Sequence, residues 1–300
     1  MITLEIQETN RFLKLPEELG ECDPRQYREA CNLIYRYQQN ELSYEDFRIE
    51  MLYKLLDLEK GSAKDLLDAE RMEMYSNLFS LSCYVDAFFE KDEHEEVDKL
   101  NLKLYYIDNK IKKVRSGDYD LVGPADEFEN ITWGQYMDAL EIYYLIENQP
   151  SKELFYELMA IFYLPKGKKY DREKAGRYLK HIQKCHFGEV YGFFLLFASF
   201  QSYLFSATIF YQGNELDLSI LFQDPEDRKK ETEPKSKIPG IGMKSIEFQL
   251  AGSGVFGPLK EMRKTNFWET ILRIYDIRKS DLDAQAERER QEEIAKTKNR

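Results

Sequence analysis

Apolar side chains recur at helical spacing over the first part of the chain. Ser43, with Asp46 three residues later, resembles a capping box, and the apolar positions after it fall on one face of a predicted helix. These positions are Tyr44, Phe47, Met51, Leu55 and Leu58. An earlier helix is predicted from Asp23, which can cap it, through Pro24 in the first turn to about Gln39.

A longer helix is predicted over residues 63–90. Its apolar positions step by four, three, four and three residues, which places them on a single helical face, and the acidic stretch that begins at Glu90 ends it. The positions are Met74, Leu78, Leu81, Val85 and Phe88.

Short apolar–polar alternations predict a small amount of β-structure. Ile2, Leu4 and Ile6 alternate with polar residues and indicate an edge strand. A small β-hairpin is predicted near residues 102–114, with its turn at Asp108-Asn109. Its apolar positions are Leu102, Leu104, Tyr106, Ile111 and Val114. A further strand is predicted at Ser245–Leu250, before a glycine-rich turn.

The second half of the chain returns to helical spacing. Thr132 is a candidate cap for one helix, and Asp171 is a candidate cap for a basic helix that extends through Lys184. The segment from Val190 to Tyr211 is the most apolar of the chain and is long enough to cross a bilayer. Polar residues interrupt it, however, so the pattern favours a buried central helix over a membrane span. These residues are Ser199, Gln201, Ser202, Ser206 and Thr208.

A charged, proline-containing segment divides the predicted elements into two groups. Residues 223–240 contain few large apolar side chains, which is typical of a flexible linker or loop. We therefore predict a mostly helical domain over residues 1–222 and a C-terminal helical unit over residues 241–300, with a helix near Phe267–Ile277 and a charged tail from Ser280. The predicted fold class is mainly α, a helical bundle with a small β-hairpin and a short C-terminal helical unit.

Composition and charge restrict the classes of function. The 300 residues are 43% hydrophobic and 14% aromatic, which is sufficient for a folded core. The formal net charge of -12 argues against nucleic acid and anionic membrane as partners, because both require a basic surface, whereas a basic protein partner is compatible with it. The 4 cysteines are scattered and are expected to be reduced. Glu5 and Glu8 stand where a secretory signal would be basic or apolar, so we expect a cytoplasmic protein.

No motif in the sequence predicts catalytic, cofactor-binding or metal-binding residues. Gly252–Gly257 matches G-x-G-x-x-G, but Pro258 would fall in the first turns of the helix that such a motif opens, and no βαβ pattern surrounds it. His181 and Cys185 lie four residues apart, next to His186, but no second ligand pair completes a zinc site. The sequence does not determine which of the 55 acidic residues meet in space, so a paired-carboxylate site stays open.

Two segments carry a resemblance to a known group of proteins. Residues 121–165, with Gly123-Pro124, Asn130–Gly134 and Met159–Pro165, and residues 250–276 resemble tail-assembly, chaperone-like proteins of phages and prophages of gut bacteria. The resemblance implies a tail-assembly factor in the cytoplasm of the bacterial host. Such a factor would bind a phage structural protein, for example a tape measure or tail tube protein, without catalysis or a cofactor.

Two alternatives remain beside the assembly factor. One is a structural virion component, such as a connector or tail-completion subunit, and the other is a nucleotide-binding enzyme centred on Gly252–Gly257. For a binding function, the C-terminal helix and tail supply the candidate partner-binding residues, because the tail can contribute little to a core. These residues are Phe267, Trp268, Ile271, Arg288 and Arg290.

Overall fold

The computed structural model describes residues 1–6, 10–59, 67–94, 96–116, 119–222 and 242–298, and the protein is mainly α-helical with several small antiparallel sheets. The helices are α1 (Pro24–Gln38), α2 (Tyr44–Leu56), α3 (Asp68–Ser82), α4 (Trp133–Asn148), α5 (Lys152–Phe162), α6 (Arg172–Ile182), α7 (Phe187–Ser206), α8 (Met243–Gly252), α9 (Leu259–Met262) and α10 (Phe267–Lys298). The strands are β1 (Ile2–Ile6), β2 (Arg11–Leu15), β3 (Phe89–Lys91), β4 (Val97–Leu102), β5 (Lys113–Ser116), β6 (Tyr119–Val122), β7 (Leu164–Pro165), β8 (Thr208–Tyr211) and β9 (Asn214–Asp217).

Local capping determines where several helices begin. The Asp23 carboxylate accepts a hydrogen bond from the backbone N–H of Gln26 at 2.8 Å, and the Gln26 side chain accepts one from the N–H of Asp23 at 3.0 Å. Thr132 and Gln135 form the same reciprocal pair at the start of α4, at 3.2 and 3.0 Å. The Ser43 hydroxyl caps α2. The helix starts predicted at these residues are therefore confirmed.

The helix predicted over residues 63–90 is shorter than its apolar spacing suggested. Helix α3 ends at Ser82, a 3-10 helix covers Cys83–Phe88, and β3 begins at Phe89, which pairs with Leu102. Residues 63–66 lie outside the described part of the chain. The prediction was wrong beyond Ser82 because burial of Val85 and Phe88 is achieved by a 3-10 turn that leads into a strand.

The β-hairpin predicted near residues 102–114 is not present. Leu102 ends β4, which pairs with β3, whereas Lys113–Ser116 form β5, which pairs with β6. Between them the Asn109 side chain donates to the carbonyl of Pro124 at 2.8 Å and accepts from the N–H of Ile111 at 2.9 Å. Leu102 and Val114 therefore belong to two different sheets, and Leu104, Tyr106 and Ile111 lie in the connection between them.

Two further predictions in the second half of the chain are tested by the fold. Residues 245–250 lie within helix α8, so the strand predicted there is wrong. The apolar segment from Val190 divides into α7, which ends at Ser206, and strand β8. Ser199 is buried in α7, and its hydroxyl is hydrogen-bonded to the backbone of Tyr106. No helix in the described part of the chain combines the length and apolarity that crossing a bilayer requires.

The chain forms two compact units whose limits differ from the predicted boundary after residue 222. Unit 1 comprises Met1–Glu127 and Leu145–Phe200, and unit 2 comprises Phe128–Tyr144 and Gln201–Arg300. In unit 2 the Phe267 ring at the start of α10 lies 6.2 Å from that of Trp133 and 4.6 Å from that of Tyr136. The first turns of α4 are thereby part of the C-terminal unit. The predicted linker at 223–240 lies outside the described residues.

Close contact between α1 and α7 organises unit 1. The Tyr27 hydroxyl donates a hydrogen bond to the carbonyl of Gly192 at 2.6 Å and lies 2.8 Å from the hydroxyl of Tyr106. A Cβ atom at Gly192 would lie 2.6 Å from the Tyr27 ring. Glycine is therefore required here so that the two helices can approach.

Candidate functional site

The predicted partner-binding residues are separated along α10. Phe267 and Ile271 are buried in the core of unit 2, and Trp268 is half-buried. Arg288 and Arg290 are exposed about 25–30 Å beyond Ile271 along the helix, given its rise of about 1.5 Å per residue. Phe267 and Ile271 are thus corrected from partner-binding to core residues, whereas the roles of Trp268, Arg288 and Arg290 stay predictions.

The glycine-rich motif does not have the setting of a dinucleotide site. Gly252 ends helix α8, so the motif follows a helix where a phosphate-binding loop would follow a strand. Gly254 and Gly257 have φ values of 73° and 77°, which glycine adopts without strain. The N–H of Gly257 bonds to the carbonyl of Gly254 at 3.1 Å. The glycines therefore serve the turn between α8 and α9.

The histidine and cysteine residues considered for a metal site have other contacts. The Cys185 thiol donates to the carbonyl of His181 at 3.6 Å, and the His181 ring packs 4.3 Å from the ring of Tyr119. His186 accepts a hydrogen bond from the N–H of Gly188 at 3.1 Å. Among the described residues there is no group of three or more potential ligands that could hold a metal ion.

One pair of carboxylates does meet in unit 2, around a single arginine. The Arg263 guanidinium lies 2.7 Å from Asp138 and 2.6 Å from Glu247, and Lys244 lies 2.6 Å from Glu247. Glu247 and Asp138 are both buried. Because cations neutralise both carboxylates and solvent does not reach them, this cluster is suited to holding α4, α8 and the end of α9 together.

A cleft of about 760 Å³ opens in unit 1 beside the first turn of α1. Its lining includes Cys22 and Glu189, together with Arg28 and the Lys112–Asp126 ion pair at 2.7 Å. Burial raises the pKa of the Cys22 thiol to about 12, so it stays protonated at neutral pH and is a poor nucleophile. Burial also raises the pKa of Glu189, against the opposing effect of Arg28.

Helix α3 exposes a row of large apolar side chains to solvent. Met72 is 75% exposed, Tyr75 57% and Phe79 48%, and their spacing of three and four residues places them on one face. We call these three residues the α3 stripe. Ser82 is the buried residue of this 15-residue helix. Helix α3 therefore presents to solvent an apolar surface of the kind that proteins usually cover.

The face of α3 beside the stripe is only partly covered. Met74, Leu78 and Leu81 are half-buried, and α3 packs against α2. The predicted apolar face is thus present, but a second apolar face lies beside it. Most helical stability in proteins comes from packing an apolar face, because short isolated helices are marginal in water. Covering the α3 stripe would therefore stabilise this helix.

Contact with Arg48 restricts the ring of Phe79, which is the residue at the C-terminal end of the stripe. The Arg48 guanidinium lies 5.2 Å from the ring centre of Phe79 and 3.6 Å from Asp86. The Tyr44 hydroxyl donates to Asp86 at 2.6 Å, and burial, followed by this hydrogen bond, raises the pKa of Tyr44. A fixed ring at Phe79 lowers the entropy that binding a partner would cost.

The charges on α3 are mainly negative. Asp68, Glu70 and Glu73 are exposed, whereas Arg71 supplies the positive charge and lies 3.7 Å from Asp68. Glu73 has no salt-bridge or hydrogen-bond partner among the described residues. Of these carboxylates, Asp68 lies on the side of the stripe, four residues before Met72, whereas Glu70 and Glu73 lie on other faces of the helix.

The sequence contains the apolar spacing of the stripe, but this spacing does not show which of two apolar faces of α3 is exposed. Met72, Tyr75 and Phe79 repeat at the same helical spacing as Met74, Leu78 and Leu81, so either set could have been the buried one.

Comparison of the chain with family models, with curated proteins and with solved structures finds no match. The function is therefore inferred from the residues and contacts described above.

Proposed function

We propose that this protein acts by binding another protein, without catalysis, and that the α3 stripe is its contact surface. The observation that carries the proposal is the exposure of Met72, Tyr75 and Phe79 on one face of a helix that buries little of itself. Burying apolar surface contributes about 25 cal/mol per Å², so finishing the burial of three such side chains would contribute several kcal/mol to association.

The resemblance of residues 121–165 and 250–276 supports a setting for this binding. In that setting the protein is a phage tail-assembly factor in the bacterial cytoplasm, and its partner is a structural protein such as a tape measure or tail tube protein. A structural virion component, such as a connector or tail-completion subunit, is the second candidate, because it too would need an apolar contact surface. The nucleotide-binding enzyme has less support, because Gly252–Gly257 follow a helix.

Co-expression with candidate partners tests the contact surface. The chain would be expressed with candidate tape measure and tail tube proteins, and the complex would be purified through a tag on this chain. We expect the variant Met72→Glu/Tyr75→Glu to lose the partner, because charges in an apolar contact remain desolvated and unpaired. The control is Phe210→Glu, since Phe210 is 76% exposed in strand β8 of unit 2.

The outcome tests the α3 stripe as the contact surface and distinguishes an assembly factor from a structural virion component. Equal capture by the stripe variant and by the Phe210→Glu control would show that the α3 stripe is not the contact surface. Circular dichroism of both variants establishes that the fold is retained. Presence of the chain in purified virions would favour the structural component over an assembly factor that leaves before completion.

A further inference from the structure

We infer that the cleft beside the first turn of α1 binds a small molecule with two or more negative charges, of the phosphate or polycarboxylate type. This inference goes beyond the proposed function, because it concerns the cleft and not the α3 stripe. It follows from the charges that line the cleft, from a lysine without a partner and from the fixed loop that carries this lysine.

The lining of the cleft is basic, although the protein as a whole is acidic. Five charged lining residues are cations and three are carboxylates, whereas the whole chain has 43 lysines and arginines against 55 acidic residues. The cations are Arg25, Arg28, Lys110, Lys112 and Lys113. The carboxylates are Asp108, Asp126 and Glu189. A local excess of positive charge in a concave site attracts anions, because the walls focus the field.

Two basic segments that are far apart in the sequence meet at this cleft. Arg25 and Arg28 are three residues apart in the first turns of α1 and therefore lie on one face of that helix. Residues 110–113 cover the end of the connection from β4 and the start of β5. A ligand with two anionic groups can contact both segments at once. The cleft volume of about 760 Å³ is within the range of about 300–1,000 Å³ for small-molecule sites.

Lys110 has no counter-ion of its own. It is half-buried and makes no hydrogen bond or salt bridge with any described residue. A hydrogen bond from Lys112 lowers the pKa of Asp126, and the charge of Lys110 adds to this effect, so Lys110 lies near that ion pair. A partly buried ammonium group interacts with an anion more strongly than an exposed one, because water screens it less.

The two arginines retain N–H groups for a ligand. The Nε and Nη2 groups of Arg28 donate to Glu29 at 3.2 and 3.0 Å, and its Nη1 has no partner among the described residues. The Nη1 group of Arg25 donates to the carbonyl of Lys54 at 2.7 Å, which fixes the side chain and leaves its Nε unused. A planar guanidinium matches the oxygens of phosphate and carboxylate groups.

The loop that carries Lys110 is held in place by its neighbours. Asn109 is buried, and its backbone N–H donates to Asp126 at 2.9 Å. Its side chain donates to the carbonyl of Pro124 at 2.8 Å and accepts from the N–H of Ile111 at 2.9 Å. The position of Lys110 is therefore set before a ligand arrives, which lowers the entropy cost of binding.

Titration calorimetry of the full-length chain at constant ionic strength tests this inference. The probes are pyrophosphate, citrate and acetate. We expect pyrophosphate or citrate to bind at least about tenfold more tightly than acetate, which carries a single charge and can contact only one basic segment. Tighter binding of pyrophosphate would identify the phosphate type as the ligand class, and tighter binding of citrate would identify the polycarboxylate type.

Single substitutions locate the binding site. Lys110→Gln and Arg28→Gln should each weaken binding of the tighter probe about fivefold or more, because each removes a cation from the cleft. Glu189→Gln should strengthen it about twofold or more at pH 8, because it removes a negative charge from the lining. Lys180→Gln is the matched control, since Lys180 is exposed on the basic helix α6 and does not line the cleft. It should leave the affinity unchanged, and circular dichroism of every variant establishes that the fold is retained.

Three results would overturn the inference. The first is that neither pyrophosphate nor citrate binds, and the second is that acetate binds as tightly as both. The third is that Lys110→Gln and Arg28→Gln bind as tightly as the wild type, or that Lys180→Gln weakens binding as much as they do, which would place the anion elsewhere on the protein. Failure of the proposed function is distinguishable, because that function is tested by capture of a protein through the α3 stripe.

Discussion

The α-carbon of Gly188 in α7 lies directly against the backbone carbonyl of Arg28 in α1, so that a Cβ atom at Gly188 would sit 2.0 Å from that oxygen. Gly192, one turn later, leaves room for the Tyr27 ring. Two glycines four residues apart therefore let α7 approach α1 closely, through the backbone of α1 at Gly188 and through a side chain at Gly192. The cleft lined by Arg28 and Glu189 borders this contact.

Substitution of Gly188 by alanine should destabilise the protein. The obstructing atom belongs to the backbone of α1 and cannot rotate away, so α1 and α7 must separate, at a cost of about 1–3 kcal/mol or more. Gly176→Ala in α6 is the control, because a Cβ there meets nothing within 4 Å. That change should stabilise the helix by about 0.5–1 kcal/mol. Urea unfolding followed by circular dichroism measures both, and a Gly188→Ala protein as stable as the wild type would contradict the packing described.

Removal of the Arg263 side chain should cost more than a typical surface change. Arg263→Met leaves the buried carboxylates of Asp138 and Glu247 without their shared guanidinium, and such losses cost about 3–5 kcal/mol. Adding Asp138→Asn and Glu247→Gln to Arg263→Met should restore part of the loss, because no buried charge then needs a partner. Denaturant midpoints of the single and triple variants provide the measurement. A triple variant less stable than Arg263→Met would argue against this electrostatic explanation.

The carboxyl of Glu189 should make stability depend on pH. Burial raises its pKa in the folded state above the ordinary value of 4.5, so ionisation is less favourable there than in the unfolded chain. Below that ordinary value both states are protonated and the effect vanishes. Once the pH exceeds the raised pKa, the wild type has lost stability. Glu189→Gln should therefore raise the melting temperature at about pH 8 and leave it unchanged at about pH 4. If the wild type and Glu189→Gln had equal melting temperatures at about pH 8 as well as at about pH 4, the result would contradict this explanation.

Deletion of Ser280–Arg300 should leave the fold intact. Helix α10 continues through Lys298, but none of its described side chains after Ile274 is buried. The core side of the helix, with Phe267 and Ile271, would be retained. We expect the melting temperature to fall by no more than a few degrees and the emission of Trp268 to keep its wavelength. A large red shift of that emission would show that the tail stabilises unit 2.

Features that depend on neighbouring residues were predictable from the sequence, whereas contacts between residues far apart in the chain were not. The starts of α1, α2 and α4 were predictable because Asp23, Ser43 and Thr132 bond to backbone groups three residues away. The limits of the units were not, because Trp133 and Phe267 are far apart in sequence and meet only when the chain has folded. The candidate binding surface was not predictable for the same reason. Phe267 was predicted to bind a partner, but contacts with residues far away in the sequence bury it.

The sequence by itself determined that the chain is mainly helical and where several of its helices begin, because spacing and caps act within a few residues. Tertiary structure decided which apolar face of α3 is covered, since Met72 and Met74 are equivalent until α2 packs against one side. It also decided that residues 102–114 join two sheets, because β4 pairs with β3 at one end of that segment and β5 pairs with β6 at the other. Burial depends on neighbours that the local pattern does not contain, and only the packed chain supplies them.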